Sequence, residues 1–194
     1  MAVSAFSLPY SRSAAVAALL VAGAWLGLSD WRLQAWQELL PLFEWMETTP
    51  LGVAGKTWGA VFALVQALHL LSMALLGGAV LVADARLLGL LLREVPLATV
   101  QQRCHRVFAW ALLVVVCSGV FMACGVAVKV YYLPVFWYKM LALAVGVVFV
   151  YLVRRPLLRH ADAVHPWTLR LVALASLMIW FSVAATGRWI GFSG

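Results

Sequence analysis

Long runs of apolar residues alternate with short polar segments along most of the chain. Four of these runs approach or exceed the roughly 20 residues that a helix needs to cross a bilayer, and a fifth, weaker run lies near the N-terminus. Because lipid offers no partners for backbone N–H and C=O groups, such runs are expected to be helical. The pattern predicts an all-α fold, an integral membrane helical bundle with a four-helix core plus an N-terminal helix. The five predicted transmembrane helices lie near residues 13–29, 58–83, 107–128, 135–153 and 169–187.

The first run also has features of a cleavable signal peptide, because Arg12 precedes it and the small residues Ala22-Gly23-Ala24 lie within it. We interpret it instead as a retained helix. Residues 1–194 are therefore predicted to form a single transmembrane domain.

An amphipathic helix is predicted between the first two spans, near residues 30–47. Trp31, Trp36 and Leu39 recur there at helical spacing with charged residues between them, a pattern typical of a helix that lies in the membrane interface. Pro41 is expected to kink or break this helix. The helix is expected either to cover the mouth of the bundle or to offer a docking surface for a partner.

Composition and charge agree with a membrane location. Hydrophobic residues make up 65% of the chain and charged residues 11%, with a mean hydropathy of +0.99, so polar side chains are too few to cover a soluble domain. The net charge is +7, and with five spans nine of the basic residues fall on one side of the membrane. The positive-inside rule makes that side cytoplasmic. We predict a multi-pass protein of a bacterial inner membrane, with a cytoplasmic N-terminus, a periplasmic C-terminus, lipid around it and no nucleic-acid partner.

His69 is the strongest candidate functional residue, because polar groups deep in a membrane are costly and are usually retained for a reason. It lies in the middle of the second predicted span, with Gln66 one turn before it and Ser72 one turn after it. These three residues are expected to share an arc that faces the bundle interior. Matching the spans by depth places Cys117 and Met178 near the same layer.

Two cofactors suit residue types at this depth. Haem b takes imidazole or a His/Met pair as axial ligands, which makes His69 and Met178 candidate cofactor-binding residues, with Gly146 leaving a gap between helices. Copper(I) favours imidazole and thiolate, which makes His69, Cys117 and Cys124 candidate metal ligands. His69 is also interpretable as a hydrogen-bonded structural residue or as a proton relay.

Charged residues at the ends of the spans are weaker candidates. Asp84 and Arg86 bracket the inner end of the second span, where an ion pair between helices or a contact with lipid headgroups would account for them. Lys139 and Arg188 flank two other spans at the outer boundary, where snorkelling would account for both.

Motifs for catalysis are scarce. The HADAVH segment (residues 160–165) is a weak candidate for a metal clip. The sequence has no nucleophile elbow or phosphate loop, and no predicted span holds paired carboxylates. Hydrolase and kinase activities are therefore not expected, and the sequence favours a non-enzymatic protein.

The chain resembles an uncharacterised family of small bacterial inner-membrane proteins in five segments: FEWMETTPLG, ALHLLSMALLGG, DARLLGL, VFWYKMLALAVG and SLMIWFSVAATGRWIGF. The similarity runs from about Leu42 to Phe192 and implies a fold but no established activity. A looser similarity, a histidine ahead of a glycine pair, relates the second span to copper-resistance D type membrane proteins and to b561-like cytochromes. The family resemblance marks His69, Asp84, Arg86, Lys139, Gly187 and Arg188.

Three classes of function follow. The first is a redox or metal-handling membrane component, with haem b or copper at His69. The second is a non-catalytic accessory subunit of a larger membrane complex, and the third is a small transporter. A homo-oligomer or other membrane subunits are possible partners in each.

Overall fold

A computed structural model describes the backbone of residues 31–192 and the side chains of residues 37–192. The first predicted span, near residues 13–29, and its neighbour Asp30 lie outside the described residues. The chain divides into two units, Met1–Leu42 and Phe43–Gly194. The helical bundle described below belongs to the second unit.

The described residues form helices joined by turns, which confirms the all-α prediction for this part of the chain. The helices are α1 (Trp31–Thr48), α2 (Pro50–Thr57), α3 (Gly59–Leu87), α4 (Leu97–Gly125), α5 (Ala127–Tyr131), α6 (Pro134–Val148), α7 (Arg155–Leu158) and α8 (Pro166–Ile190). A π-helical turn, Phe149–Arg154, joins α6 to α7, and a short 3-10 turn, Ala161–Ala163, precedes α8.

Four helices in the described part of the chain are long and apolar enough to cross a membrane. They are α3, α4, the continuous helix Pro134–Leu158 and α8, with lengths of 29, 29, 25 and 25 residues. Many of their large apolar side chains are exposed, among them Leu64, Leu71 and Phe181, which suits a lipid environment. The prediction of four helices long and apolar enough to span a membrane is thus confirmed for the described residues, while the fifth span stays a prediction.

Proline and threonine explain several helix starts. Pro50, Pro134 and Pro166 each occupy the first turn of a helix, where a missing N–H costs nothing. Thr49 caps α2 by accepting a hydrogen bond from the Gly52 N–H at 3.2 Å. Pro41 was expected to kink or break helix α1, and the helix does not break there but continues to Thr48, since proline removes one backbone bond without forbidding helical φ. The interfacial placement of α1 stays a prediction.

Helix α3 ends at Leu87, because Gly89 just beyond it has a left-handed backbone conformation. Gly89 has a φ of +74°, and the Leu90 N–H donates to the Ala85 carbonyl at 2.8 Å, as in helix caps of this kind. Arg86 secures the following turn by donating to the Val95 carbonyl at 2.9 Å. The leucines after residue 87 therefore belong to a turn and not to a longer helix.

The bundle is built around α3, which packs along α4 and α8, while the helix Pro134–Leu158 packs along α8. Buried apolar residues from all four helices meet in one cluster, which we call the dry core: Leu76, Ala79, Val80, Phe108, Ala111, Leu112, Val150, Trp180 and Val183. Burial of such side chains in close contact supplies dispersion energy, which is the main source of helix association in lipid.

Candidate functional site

The buried imidazole of His69 is held by Ser118 of the neighbouring helix. His69 Nδ1 lies 2.8 Å from Ser118 Oγ, and Ser118 Oγ in turn donates its proton to the Val114 carbonyl at 2.5 Å. A hydroxyl has only one proton to donate, so this arrangement favours the tautomer in which Nδ1 carries the imidazole proton and donates it to Ser118. In that tautomer Nε2 carries the lone pair and is the acceptor nitrogen.

Glycine and lysine complete the surroundings of this histidine. A methyl group at Gly119 would lie 3.3 Å from His69 Cε1, so the imidazole packs directly over that glycine. A methyl group at Gly187 would lie 3.6 Å from Lys139 Nζ, so the lysine amine lies against α8, and its charge acts on His69. We call His69, Ser118, Lys139 and Gly187 the histidine–lysine site.

The other residues expected beside His69 lie elsewhere. Met178 is 71% exposed on the outer surface of α8, and Cys117 is exposed while Cys124 is buried at the end of α4. Ser72 is buried like His69, but Gln66 is exposed. Steps of three residues drift by about 60° each, so Gln66 and Ser72 point about 120° apart, and the expectation of a shared arc was wrong for Gln66.

The described residues do not assemble a donor set for haem or copper. Position 146 leaves no gap, because a methyl group on Gly146 would lie 3.2 Å from both Ile179 Cγ2 and Trp180 Cζ2. Residues 37–192 hold no group of three or more His, Cys, Asp and Glu side chains placed to bind a metal. The HADAVH segment (residues 160–165) therefore holds no such group. Its His165 accepts a hydrogen bond from the Trp167 N–H at 3.3 Å, at the start of α8.

A second polar centre lies near the other end of the bundle. Asp84 is fully buried, and one of its carboxylate oxygens lies 2.7 Å from Arg154 Nη2, which is also buried. The Arg154 charge and a contact with the Ser176 hydroxyl both compensate the carboxylate. Gln101 accepts from the same guanidinium at 3.3 Å and donates to the Ala83 carbonyl at 2.9 Å. Ser176 lies 3.5 Å from Arg154 Nη1.

The π turn Phe149–Arg154 directly precedes this centre and directs Arg154 inward. A π turn holds one residue more than an α turn, which changes the face that the following residues occupy. Pro156 favours this irregular turn, because it has no N–H to donate to a carbonyl in the preceding turn. The predicted span 135–153 ended one residue before Arg154. The short apolar run ahead of it was the available signal, since a 14-residue run from Met140 to Val153 has to be extended to cross a bilayer.

The dry core separates the two polar centres. On α3 its residues lie between His69 and Asp84, and on α4 they lie between Gln101 and Ser118. On the helix Pro134–Leu158, Val147 and Val150 lie between Lys139 and Arg154. We therefore distinguish a lysine end and an arginine end of the bundle.

Arg86 and Arg188 belong to neither centre. Arg86 donates to loop carbonyls, as described above, and Arg188 lies over the Phe192 ring at 4.4 Å. Both contacts are local to the ends of their helices, which fits a structural role for these two side chains.

The described part of the chain is thus an all-helical, multi-pass membrane protein with four candidate spans and buried polar centres at two depths. Residues 42–193 match the Family of unknown function (DUF6644), and the chain belongs to that family. This confirms the resemblance to an uncharacterised family over nearly the range predicted. No curated protein and no solved structure matches the chain.

Proposed function

We propose that the protein is a non-catalytic membrane component, of the transporter or solute-binding class, that takes a small anion at the histidine–lysine site. The observation that carries this proposal is the position of Lys139. Its amine lies against Gly187 of α8, close enough to His69 for its charge to act on the imidazole.

A charged amine within a membrane span needs an opposite charge nearby, because desolvation in a low-dielectric interior is expensive. Among residues 37–192 Lys139 forms no ion pair with a carboxylate. An anionic ligand would supply that charge. His69 adds a second requirement, because its Nε2 accepts a hydrogen bond, so the ligand should carry its own O–H. Hydrogen phosphate and small hydroxycarboxylates meet both conditions.

The redox or metal-handling function, with haem b or copper, is the second candidate. Its support is the anchored Nδ1–H of His69, because ligating histidines commonly fix one ring nitrogen through a hydrogen bond and present the other. Two observations favour the anion instead. The described donor set is incomplete, and the positive charge of Lys139 acts on His69, where it opposes a bound cation.

The test is a titration of the detergent-purified protein with inorganic phosphate, lactate and acetate, followed by tryptophan fluorescence. We expect saturable binding of phosphate or lactate, weakened about tenfold or more in Lys139→Met and in His69→Gln, which corresponds to about 1.4 kcal/mol. The matched control is Lys129→Met, which removes an exposed lysine of α5. Equal binding by all variants, or no binding of any of the three anions, would contradict the proposal.

The same preparation decides the second candidate. Sharp visible bands, or near-stoichiometric copper, that disappear in His69→Ala would establish a cofactor at His69 and replace the anion proposal. Colourless, metal-free protein that binds none of the three anions would leave the accessory-subunit function, which predicts a co-purifying membrane partner.

A further inference from the structure

A cavity of about 470 Å³ opens at the arginine end, between α3, α4 and the helix Pro134–Leu158. That volume is within the range of sites that bind small molecules. It lies across the dry core from the histidine–lysine site, so it is a separate feature. Nothing in the function proposed above uses it.

The cavity has an apolar wall and a cationic rim. The wall includes Val80, Phe108 and Val150, which also belong to the dry core, and Leu158 of α7. The rim includes Gln102, His105, Arg155 and Arg159. The two arginines are exposed, so their guanidinium groups are accessible to a ligand at the mouth.

The charged side chains that line the cavity are all positive. No acidic residue is among the described residues that line the cavity. Arg154 also lines it, but its charge is already matched by Asp84 at 2.7 Å. Arg155 and Arg159 therefore provide the positive charge that remains for a ligand.

Contacts with aromatic rings restrain two side chains of the rim, His105 and Arg155. His105 stacks on Phe108 with ring centroids 6.2 Å apart and meets the Tyr151 ring edge-on at 5.8 Å. The Arg155 guanidinium lies 6.0 Å from the centroid of the same tyrosine. Stacking of this kind restrains side chains, so Arg155 is held beside the apolar wall instead of extending freely into solvent.

We infer that this cavity binds an amphiphile with an anionic head, phosphate or carboxylate, and an apolar tail. The head pairs with Arg155 and Arg159, because guanidinium groups recognise such oxyanions through paired N–H donors. The tail covers the wall formed by Val80, Phe108, Val150 and Leu158. A small hydrophilic anion would leave that wall wet, and a neutral lipid would leave the rim without a counter-charge.

Two sources supply such a molecule, an anionic phospholipid of the surrounding leaflet and a free amphiphile such as a fatty acid or alkyl phosphate. Both present the same head and tail chemistry to the cavity. The experiment therefore uses phosphatidylglycerol for the first source and dodecyl phosphate and laurate for the second. Phosphatidylcholine and dodecylphosphocholine, which have zwitterionic heads on comparable tails, are the matched reference probes.

The full chain is purified in a maltoside detergent and incubated with each probe, and bound molecules are counted by native mass spectrometry. We expect anionic probes to bind in preference to their zwitterionic counterparts. In the double variant Arg155→Gln/Arg159→Gln their binding should fall about fivefold or more for each arginine lost. Arg170→Gln, which removes an exposed arginine from the start of α8, should bind as the parent protein does.

A second variant tests the wall without changing charge. Ala98 lines the cavity and is exposed, so Ala98→Phe should fill space there without disturbing the dry core, and it should weaken binding of all anionic probes. If the parent protein binds phosphatidylglycerol, the surrounding leaflet is a source of the ligand. If it binds dodecyl phosphate or laurate but not phosphatidylglycerol, the ligand is a free amphiphile. Equal binding of anionic and zwitterionic probes, or equal binding by the double arginine variant and Arg170→Gln, overturns the inference.

Discussion

Asp84 and Arg154 form an ion pair 2.7 Å long between α3 and the end of the π turn, and both side chains are buried. Gln101 of α4 and Ser176 of α8 contact the same guanidinium. The four candidate spans of the described residues therefore meet at one charged group, which helps to fix their relative placement.

Breaking this pair is expected to destabilise the bundle asymmetrically. Asp84→Leu leaves a buried guanidinium that keeps its charge, and the cost should be about 3 kcal/mol or more. Arg154→Leu should cost less, because the remaining carboxyl group can take up a proton and become neutral. Thermal unfolding in detergent measures both.

The double variant Asp84→Leu/Arg154→Leu provides the control for that prediction. Replacement of a whole buried pair by apolar residues is often close to neutral, so the double variant should be more stable than Asp84→Leu. Additive losses in this cycle would show that the two side chains are not coupled.

Two glycines bring α2 and α4 into backbone contact. A methyl group on Gly55 would lie 2.9 Å from Gly125 Cα, and backbone atoms cannot move aside as a flexible side chain does. Gly55→Ala should therefore cost about 1–3 kcal/mol. Gly59→Ala, where a methyl group meets nothing within 4 Å, is the matched control and should be neutral or slightly stabilising. Equal thermal stability of the two variants would contradict the close contact.

Glu47 links α1 to the short helix α5 and should make stability depend on pH. Its carboxylate pairs with Lys56 and accepts the Val128 N–H at 2.8 Å. The contact with Lys56, assisted by that N–H, holds the pKa of Glu47 below its ordinary value of 4.5 despite opposing desolvation. A lowered pKa in the folded state stabilises the protein above the ordinary value, and this stabilisation is lost as the pH falls through the folded value.

Unfolding of the purified protein between pH 7 and pH 3 checks this. The parent protein should lose up to about 1 kcal/mol through this group as the pH falls, since Lys56 is largely exposed. Glu47→Gln should be less stable at neutral pH and should lack this part of the pH dependence. Glu44→Gln removes an exposed carboxylate of the same helix and should behave as the parent protein does. If both variants changed the pH dependence of stability alike, the effect would come from the net charge of the protein and not from the contacts of Glu47.

The predicted topology is open to direct labelling. In a background without the three cysteines, Arg93→Cys should be protected from an impermeant thiol reagent in intact cells, and Lys129→Cys should react. The basis is the excess of basic residues in the loops that adjoin the arginine end. Reaction of position 93 from outside would invert the proposed orientation.

The sequence predicted the four core spans because helices in lipid require long uncharged runs, and it located His69 within one of them. Boundaries set by local backbone geometry were harder to predict. The left-handed conformation of Gly89 ended α3 before the leucines that follow it, and α1 passed through Pro41.

Residues of the sites were predicted less well, because burial depends on the rotation of each helix against its neighbours. Depth alone grouped Met178 with His69, yet α8 turns Met178 to the outside. Gly146 was read as a gap, and the indole of Trp180 fills it. The predicted span 135–153 left out Arg154, because a π turn has no simple signature in the hydrophobic pattern. The ion pair of Arg154 with Asp84 forms only when the helices are assembled.

The dry core has a consequence for any proton gradient held across the membrane that contains this protein. A chain of water molecules joining the histidine–lysine site to the Asp84–Arg154 pair would conduct protons and dissipate such a gradient. Phe108 and Trp180 lie between those two polar centres with ring centroids 5.1 Å apart, and their packed rings occupy space that such a chain would need. The packing of the dry core therefore opposes proton leakage between the charged groups at the two ends of the bundle.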